Sequence, residues 1–218
     1  VAINLLASGL TLFLVKLIYD KGETGIISKG FNKIDIPVLK DIPVIGEIFF
    51  QNTYWTSFFA ILVAVIVWYV IAKTPFGLRL RSVGEHPMAA DTMGINVTKM
   101  RYLGVIISGA LAGIGGGVYA QSITSNFSHS TISGQGFMAL AAMIFGKWHP
   151  LGSLGAAIFF GFAQSISIIG SSLPFLENIP NVYLLIAPYV LTILALTGFI
   201  GRADAPKASG THYIKGSR

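Results

Sequence analysis

Cysteine is absent from these 218 residues, which removes disulfides, thiolate chemistry and cysteine-ligated zinc together. Charge is nearly as scarce: Lys, Arg, Asp and Glu make up 11% of the chain, where a soluble domain carries about a quarter. There is no G-x-x-x-x-G-K-[ST] loop, because the Gly146-Lys147 pair is followed by Trp148, so nothing here is built to cradle ATP phosphates. Four histidines (His86, His129, His149, His212) are scattered without metal-ligand spacing or an H-E-x-x-H pattern, which argues against a metal site or an intramembrane hydrolase. What remains is apolar: 53% hydrophobic residues with 25 glycines and a mean hydropathy of +0.71. That composition fits transmembrane helices whose small residues let backbones approach. The net charge of +6 borders apolar runs, which fits lipid headgroups and membrane topology rather than nucleic acid.

Five apolar segments have the roughly 20 residues a spanning helix needs, at about 1–19, 54–73, 102–121, 151–170 and 182–201. Lys16 lies near one end of the first, where a long side chain reaches the interface. Tyr54, Trp55, Trp68 and Tyr69 sit near the ends of the second, as aromatic belts do. The chain opens at Val1 with no initiator Met, basic leader or cleavage site, and is therefore expected to be part of a longer polypeptide.

The loops carry unequal charge. Residues 20–53 hold four lysines against five acids, with Pro37, Pro43 and several glycines, and are expected to be irregular with one short hairpin. Residues 73–101 hold five basic residues and two acids, and the tail from Arg202 holds four basic residues and one acid. The positive-inside rule puts the 74–101 loop and the 202–218 tail in the cytoplasm and the 20–53 loop outside. Parity then demands one more crossing between Ser122 and Gly146, where "GFMALAAMIFGKW" alone is too short to span. The expected fold is an all-α membrane protein, a polytopic transmembrane helical bundle. It has about six crossings in this fragment, one of them broken or partly irregular and covered by protein or water.

Polar chemistry concentrates in that break. "QSITSNFSHSTISGQGF" supplies Asn126, Phe127, His129 and Gln135, and Gln164 with Ser165 and Ser167 forms a second polar spot within a span. Amides and hydroxyls are expensive in hydrocarbon unless paired or wet. Two readings stand: a hydrated route for a neutral, hydroxyl-rich solute, or an outer loop with ordinary interhelix hydrogen bonds. Gly109, Gly113 and Gly117 share one helix face and are read as helix packing rather than as a nucleotide loop. No Asp or Glu falls within the inferred spans, which weakens an ion-driven transporter as the alternative.

The loop around "RLRSVGEHPMAADTMGI" is the most polar run of its length. Ser82 and Glu85 have capping-box spacing, Pro87 is acceptable near a helix start and Gly94 is a stop signal, so a short helix is expected from about Val83 to Met93. Met88, Ala89, Thr92 and Met93 would share a small apolar surface on it. A helix this short is marginal alone, so its own protein, a partner or the headgroups must hold it.

Gly77, Arg81, Gly84, Ala89, Ala90, Gly94 and Ile95 resemble the cytoplasmic coupling loop of ABC importer permeases of the branched-chain amino acid/ribose-type family. "SGALAGIGGGVYA", "GQGFMALAAMIFGKWHPLG" and "GRADAPKASGTHYIKGSR" extend the resemblance, which is strongest to the nucleoside (simple sugar/nucleoside) branch. It implies a single transmembrane permease domain over 1–218, the C-terminal two-thirds of such a permease, in the bacterial inner membrane. Gly84, Glu85, His86, Pro87, Ala89, Ala90 and Gly94 would then be the element seated in a groove of the ATPase. ATP and Mg would be bound by that partner ATPase, with no cofactor on this chain. A second permease subunit and an extracytoplasmic substrate-binding lipoprotein would complete the machine. Asn126, Phe127, Gln135 and Gln164 would line the nucleoside pathway, since an aromatic face and amides suit a nucleobase. The competing class is a secondary transporter or channel that works without ATPases.

Overall fold

A computed structural model describes residues 2–27, 30–31, 33–35, 52–128, 131–132, 134–169 and 204–215, together with Tyr183, Ile186, Val190 and Ile193. The order of elements is α1 (Ala2–Tyr19), β1 (Lys33–Ile34), β2 (Thr53–Tyr54), α2 (Trp55–Lys73), α3 (Pro75–Glu85), α4 (Pro87–Thr92), α5 (Val97–Tyr119), α6 (Gln135–Phe145) and α7 (Pro150–Ile169). A π-helical turn, Ala120–Thr124, extends α5. Contacts divide the chain into two compact units, Val1–Val63 with Tyr102–Gly136 and Ala64–Arg101 with Phe137–Arg218.

Three helices are long and apolar enough to cross a membrane: Ala2–Tyr19, Trp55–Lys73 and Val97–Thr124. By the same measure Gln135–Phe145 and Pro150–Ile166 are shorter apolar helices. Large apolar side chains on all of these helices are exposed in the isolated chain, from Ile3 on α1 to Phe162 on α7. Such continuous apolar surface needs lipid or another subunit to cover it. The third span begins at Val97 rather than near residue 102, so Lys99 and Arg101 ride on its first turns. The expected span at 182–201 lies outside the described residues, apart from four helical positions, Tyr183, Ile186, Val190 and Ile193.

In the first unit β1 and β2 form an antiparallel pair, with Lys33 opposite Tyr54 and Ile34 opposite Thr53; the residues of the expected hairpin between them lie largely outside the described residues. The segment just after α1 also pairs with the segment just after the π-turn. Thr24 N–H donates to the Phe127 carbonyl at 2.9 Å and Ile27 N–H to the Ser125 carbonyl at 2.8 Å. Phe127 N–H donates in return to the Thr24 hydroxyl at 2.9 Å.

In the second unit, Val83, Ala90, Val97 and Met100 form a buried cluster, with Phe76, Leu80, Ile95 and Tyr213 packed against it. It draws on α3, α4, α5 and the C-terminal tail. The α6–α7 connection is a four-residue turn in which Gly146 N–H bonds the Ala142 carbonyl and Trp148 N–H the Met143 carbonyl. Lys147 and Trp148 take left-handed φ there, and Pro150 starts α7 with its fixed φ.

One expectation fails. Residues 83–93 are not a single helix capped by Ser82. Thr74 is the N-cap of α3: its hydroxyl accepts from Gly77 N–H at 3.3 Å, and Pro75 takes the first helical position. Proline there needs no N–H partner and has helical φ already, so the Thr-Pro start wins over the Ser-x-x-Glu spacing. Ser82 is left inside α3, its hydroxyl bonding the Arg79 carbonyl at 2.8 Å. The helix then stops, because a residue preceding proline is pushed out of the α region: His86 has φ −140° and ψ 82°, and Pro87 restarts the chain as α4.

Candidate functional site

The α3–α4 pair carries the residues expected to couple. α4 ends where the sequence places its stop. Gly94 has φ +80°, its N–H bonds the Asp91 carbonyl at 2.9 Å, and Ile95 N–H bonds the Ala90 carbonyl at 3.0 Å. This is a Schellman ending, and Ile95 supplies its hydrophobic contact by packing on the cluster that holds Ala90.

The two alanines face opposite ways. Ala90 is 2% exposed beside Val83, Val97 and Met100, so the cluster of its own loop uses its methyl group. Ala89 is exposed, as are Met88, Thr92 and Met93, and this is the small apolar surface the sequence implied. Glu85 and His86 are also exposed, while Gly84 and Pro87 are half-buried. Ala89 and Ala90 therefore do not share one exposed face: adjacent helical residues sit about 100° apart, and here only Ala89 is exposed.

The tail contacts were not legible in the sequence. Lys207 Nζ lies 3.2 Å from Glu85 Oε1, and Lys207 N–H reaches Glu85 Oε2 at 3.5 Å. Ala208 N–H donates to the Gly84 carbonyl at 3.0 Å, satisfying one of the orphan acceptors at the end of α3. Arg101 Nη1 donates to the Thr211 carbonyl at 2.6 Å. Tyr213 packs its ring on the cluster, and its buried hydroxyl lies beside the Asp91 carboxylate. Burial and the neighbouring Asp91 carboxylate push its pKa up, so it is a neutral phenol at physiological pH.

Hydrogen bonding to Lys207 holds the Glu85 carboxyl below its usual value of 4.5, with the charges of Lys207 and His86 acting in the same direction. A depressed carboxylate pKa stabilises the contact above the unfolded value and loses it as pH falls through the folded one. Both side chains are well exposed, so the pair contributes modestly. Amide-exchange protection of Ala208 is expected to hold at neutral pH and to fall in part as the pH drops below the ordinary glutamate range. In Glu85→Gln that acid step should be missing.

The pathway candidates divide between the units. In the first, the α5 helix widens at Ala120–Thr124 and ends on Ser125 in the left-handed region. Asn126, Phe127 and Gln135 are half-buried beyond it. Gln135 Nε2 donates to the Tyr119 hydroxyl at 3.3 Å, and the Thr124 hydroxyl donates to the Asn126 carbonyl at 2.8 Å. Ser122 Oγ is buried without a hydrogen-bond partner among the described residues. Tyr119 thus joins Gln135, a meeting that their spacing in the sequence does not signal. α6, at 11 residues, is about 16 Å long, short of the roughly 30 Å hydrocarbon thickness, which fits a broken passage. Gln164 belongs to the second unit, half-buried on α7; His129 lies outside the described residues. A Cβ added at Gly109, Gly113 or Gly117 meets nothing within 4 Å, so this face has no packing partner among the described residues.

A family described as "Branched-chain amino acid transport system / permease component" matches residues 1–196. The chain is 70% identical over 218 residues to the Guanosine ABC transporter permease protein NupQ of Bacillus subtilis (strain 168), covering 100% of this chain and 68% of that protein. It is 51% identical over 213 residues to the Nucleoside ABC transporter permease protein NupC of Lactococcus lactis subsp. cremoris (strain MG1363), covering 98% of this chain and 67% of that one. It is 30% identical over 225 residues to the Putative glucose ABC transporter permease protein TsgC13 of Haloferax volcanii, covering 94% and 67%. No solved structure matches.

Proposed function

The chain belongs to the branched-chain amino acid transport system / permease component family, and from that membership we propose that it works as the permease subunit of an ABC importer that carries nucleosides. The observation that carries the substrate class is the 70% identity, along the whole chain, to a guanosine permease. The 51% identity to a nucleoside permease supports it further, while the relative named for glucose is far more distant. The chain itself has no Walker motif. Its source of work is a separate ATPase subunit that binds ATP and Mg and grips the exposed surface of α4.

Alternating access is the mechanism this reading implies. Closure of the ATPases moves α3 and α4, and the connected spans α2 and α5 shift around a midplane route. Asn126, Phe127, Gln135 and Gln164 line that route, with Tyr119 bonded to Gln135. A second permease subunit completes the pathway and an extracytoplasmic binding lipoprotein delivers solute in the bacterial inner membrane.

Six crossings remain the best account of the topology. The tail touches Gly84, Glu85 and Arg101, so it shares a side with the 74–101 loop, and an even number of passages must separate them. α5, α7 and the apolar segment 182–201 make three. A broken passage between Ser122 and Gly146 supplies the fourth, and the excess of basic residues in both the loop and the tail supports a cytoplasmic position for that shared side.

Uptake of labelled guanosine by cells carrying the complete importer is the direct test. Replacing the P-loop lysine of the partner ATPase is expected to reduce uptake to background, because no other energy source is available to the permease. Undiminished, concentrative uptake in that variant would instead establish the secondary-transporter reading.

A further inference from the structure

We propose that residues 206–213 of the C-terminal tail are a latch that makes α3, α4 and the first turns of α5 one rigid coupling block. The proposal rests on the reading of α4 as the ATPase-docking element and names the part that transmits the movement. α4 has six residues, too few to hold itself helical. Force applied to its outer surface reaches a span only if α4 cannot swing on the linkers at His86 and Gly94.

The tail removes that freedom at both ends of the loop. On one side it bonds the last residues of α3, through Ala208 to Gly84 and Lys207 to Glu85. On the other it bonds the first turns of α5, through Arg101 to the Thr211 carbonyl. Between these points Tyr213 adds a ring to the cluster that unites Val83 of α3, Ala90 of α4 and Val97 and Met100 of α5. The exposed ion pair is the weakest of these ties. The aromatic contact and the charge-assisted Arg101 bond carry more. Tyr213 meets the cluster with its ring, and the ring, not the phenol, is the working part. Tyr213 and Arg101 are therefore positioning residues: they touch neither solute nor ATP, and act through α4 and α5.

The measurement is the ratio of ATP hydrolysed to nucleoside transported by the complete importer in proteoliposomes. Tyr213→Ala is expected to raise that ratio about tenfold, within the range of ordinary coupling energies, with ATPase subunits still bound because the outer face of α4 is untouched. Tyr213→Phe should keep the wild-type ratio. Arg101→Gln, an exposed substitution that leaves the cluster intact, should raise the ratio about fivefold, and it decides the matter alone if Tyr213→Ala does not assemble. An unchanged ratio in Arg101→Gln, and in Tyr213→Ala where it assembles, overturns the latch. Failure of the docking reading is separate: it is read from whether Ala89→Arg still retains the ATPase.

Discussion

Gly77→Val is expected to leave no folded permease and no nucleoside uptake. α2 and α3 meet at a corner one residue long, with Thr74 between Lys73 and Pro75. Thr74 stitches the corner twice: its hydroxyl donates to the Val70 carbonyl at 2.5 Å and accepts from Gly77 N–H at 3.3 Å. The turn brings Gly77 onto the end of α2 so closely that an added Cβ would fall against the Val70 and Ile71 carbonyl oxygens and 2.5 Å from Ile71 Cα. These are backbone atoms and cannot rotate away. The corner must open, α3 must lift, and the cluster built on Val83 loses its register with α4 and α5. Overpacking against an immovable neighbour belongs with the rare substitutions that cost more than about 4 kcal/mol. Gly84→Ala makes the informative comparison on the same helix. Its Cβ would meet Pro206 Cβ at 3.6 Å, an ordinary contact, and alanine is the better helix former by about 1 kcal/mol. Monodispersity and melting temperature of the detergent-solubilised complex measure both: loss of the folded peak for Gly77→Val, none for Gly84→Ala. A wild-type melting profile for Gly77→Val would show that the corner is looser than this geometry requires.

Much of this architecture was legible because it depends on local pattern. The helices at 2–19, 55–73 and 150–169 follow from apolar length, and the end of α4 follows from Gly94, whose left-handed φ suits glycine. The widened turn after Tyr119 and the short α6 lie in the segment where charge parity asks for an irregular passage. What the sequence hid depends on contacts between distant segments or on competition between signals. Ser82 and Glu85 have genuine capping-box spacing, yet Thr74-Pro75 starts the helix eight residues earlier, and Glu85 is claimed by Lys207 from 122 residues away. Tyr119 and Gln135 meet through a side-chain hydrogen bond, and nothing in residue spacing encodes that. The tail reads as a solvated basic segment. Only its approach to Gly84, Arg101 and the buried cluster reveals that Tyr213 has an apolar home.

The alanine pair separates the two halves of the functional argument most sharply, because neighbouring residues of one type should fail for opposite reasons. Arginine at Ala89 projects from the exposed face of α4, where surface substitutions stay within about 0.5 kcal/mol of neutral. The permease is expected to insert, fold and melt as wild type. Yet a long cation now stands where Met88, Ala89 and Met93 offer a small apolar surface, and the docking proposed for this surface requires an ATPase to close over it. Co-purification of the ATPase should be lost and uptake reduced by at least about a hundredfold, the scale on which truncating or blocking an interface hot spot acts. Arginine at Ala90 meets Val83, Val97 and Met100 instead, in a site 2% exposed. An unpaired charge there costs about 3–5 kcal/mol, more than a six-residue helix can absorb, so α4 and the cluster should come apart before any partner is encountered. Uptake is lost in both variants. Only Ala90→Arg is expected to lower the melting temperature and remove amide protection from Ile95 and Ala208, whose N–H groups bond the Ala90 and Gly84 carbonyls. Retention of the ATPase by a stable Ala89→Arg permease would refute the assignment of this face as the docking surface, whatever Ala90→Arg does.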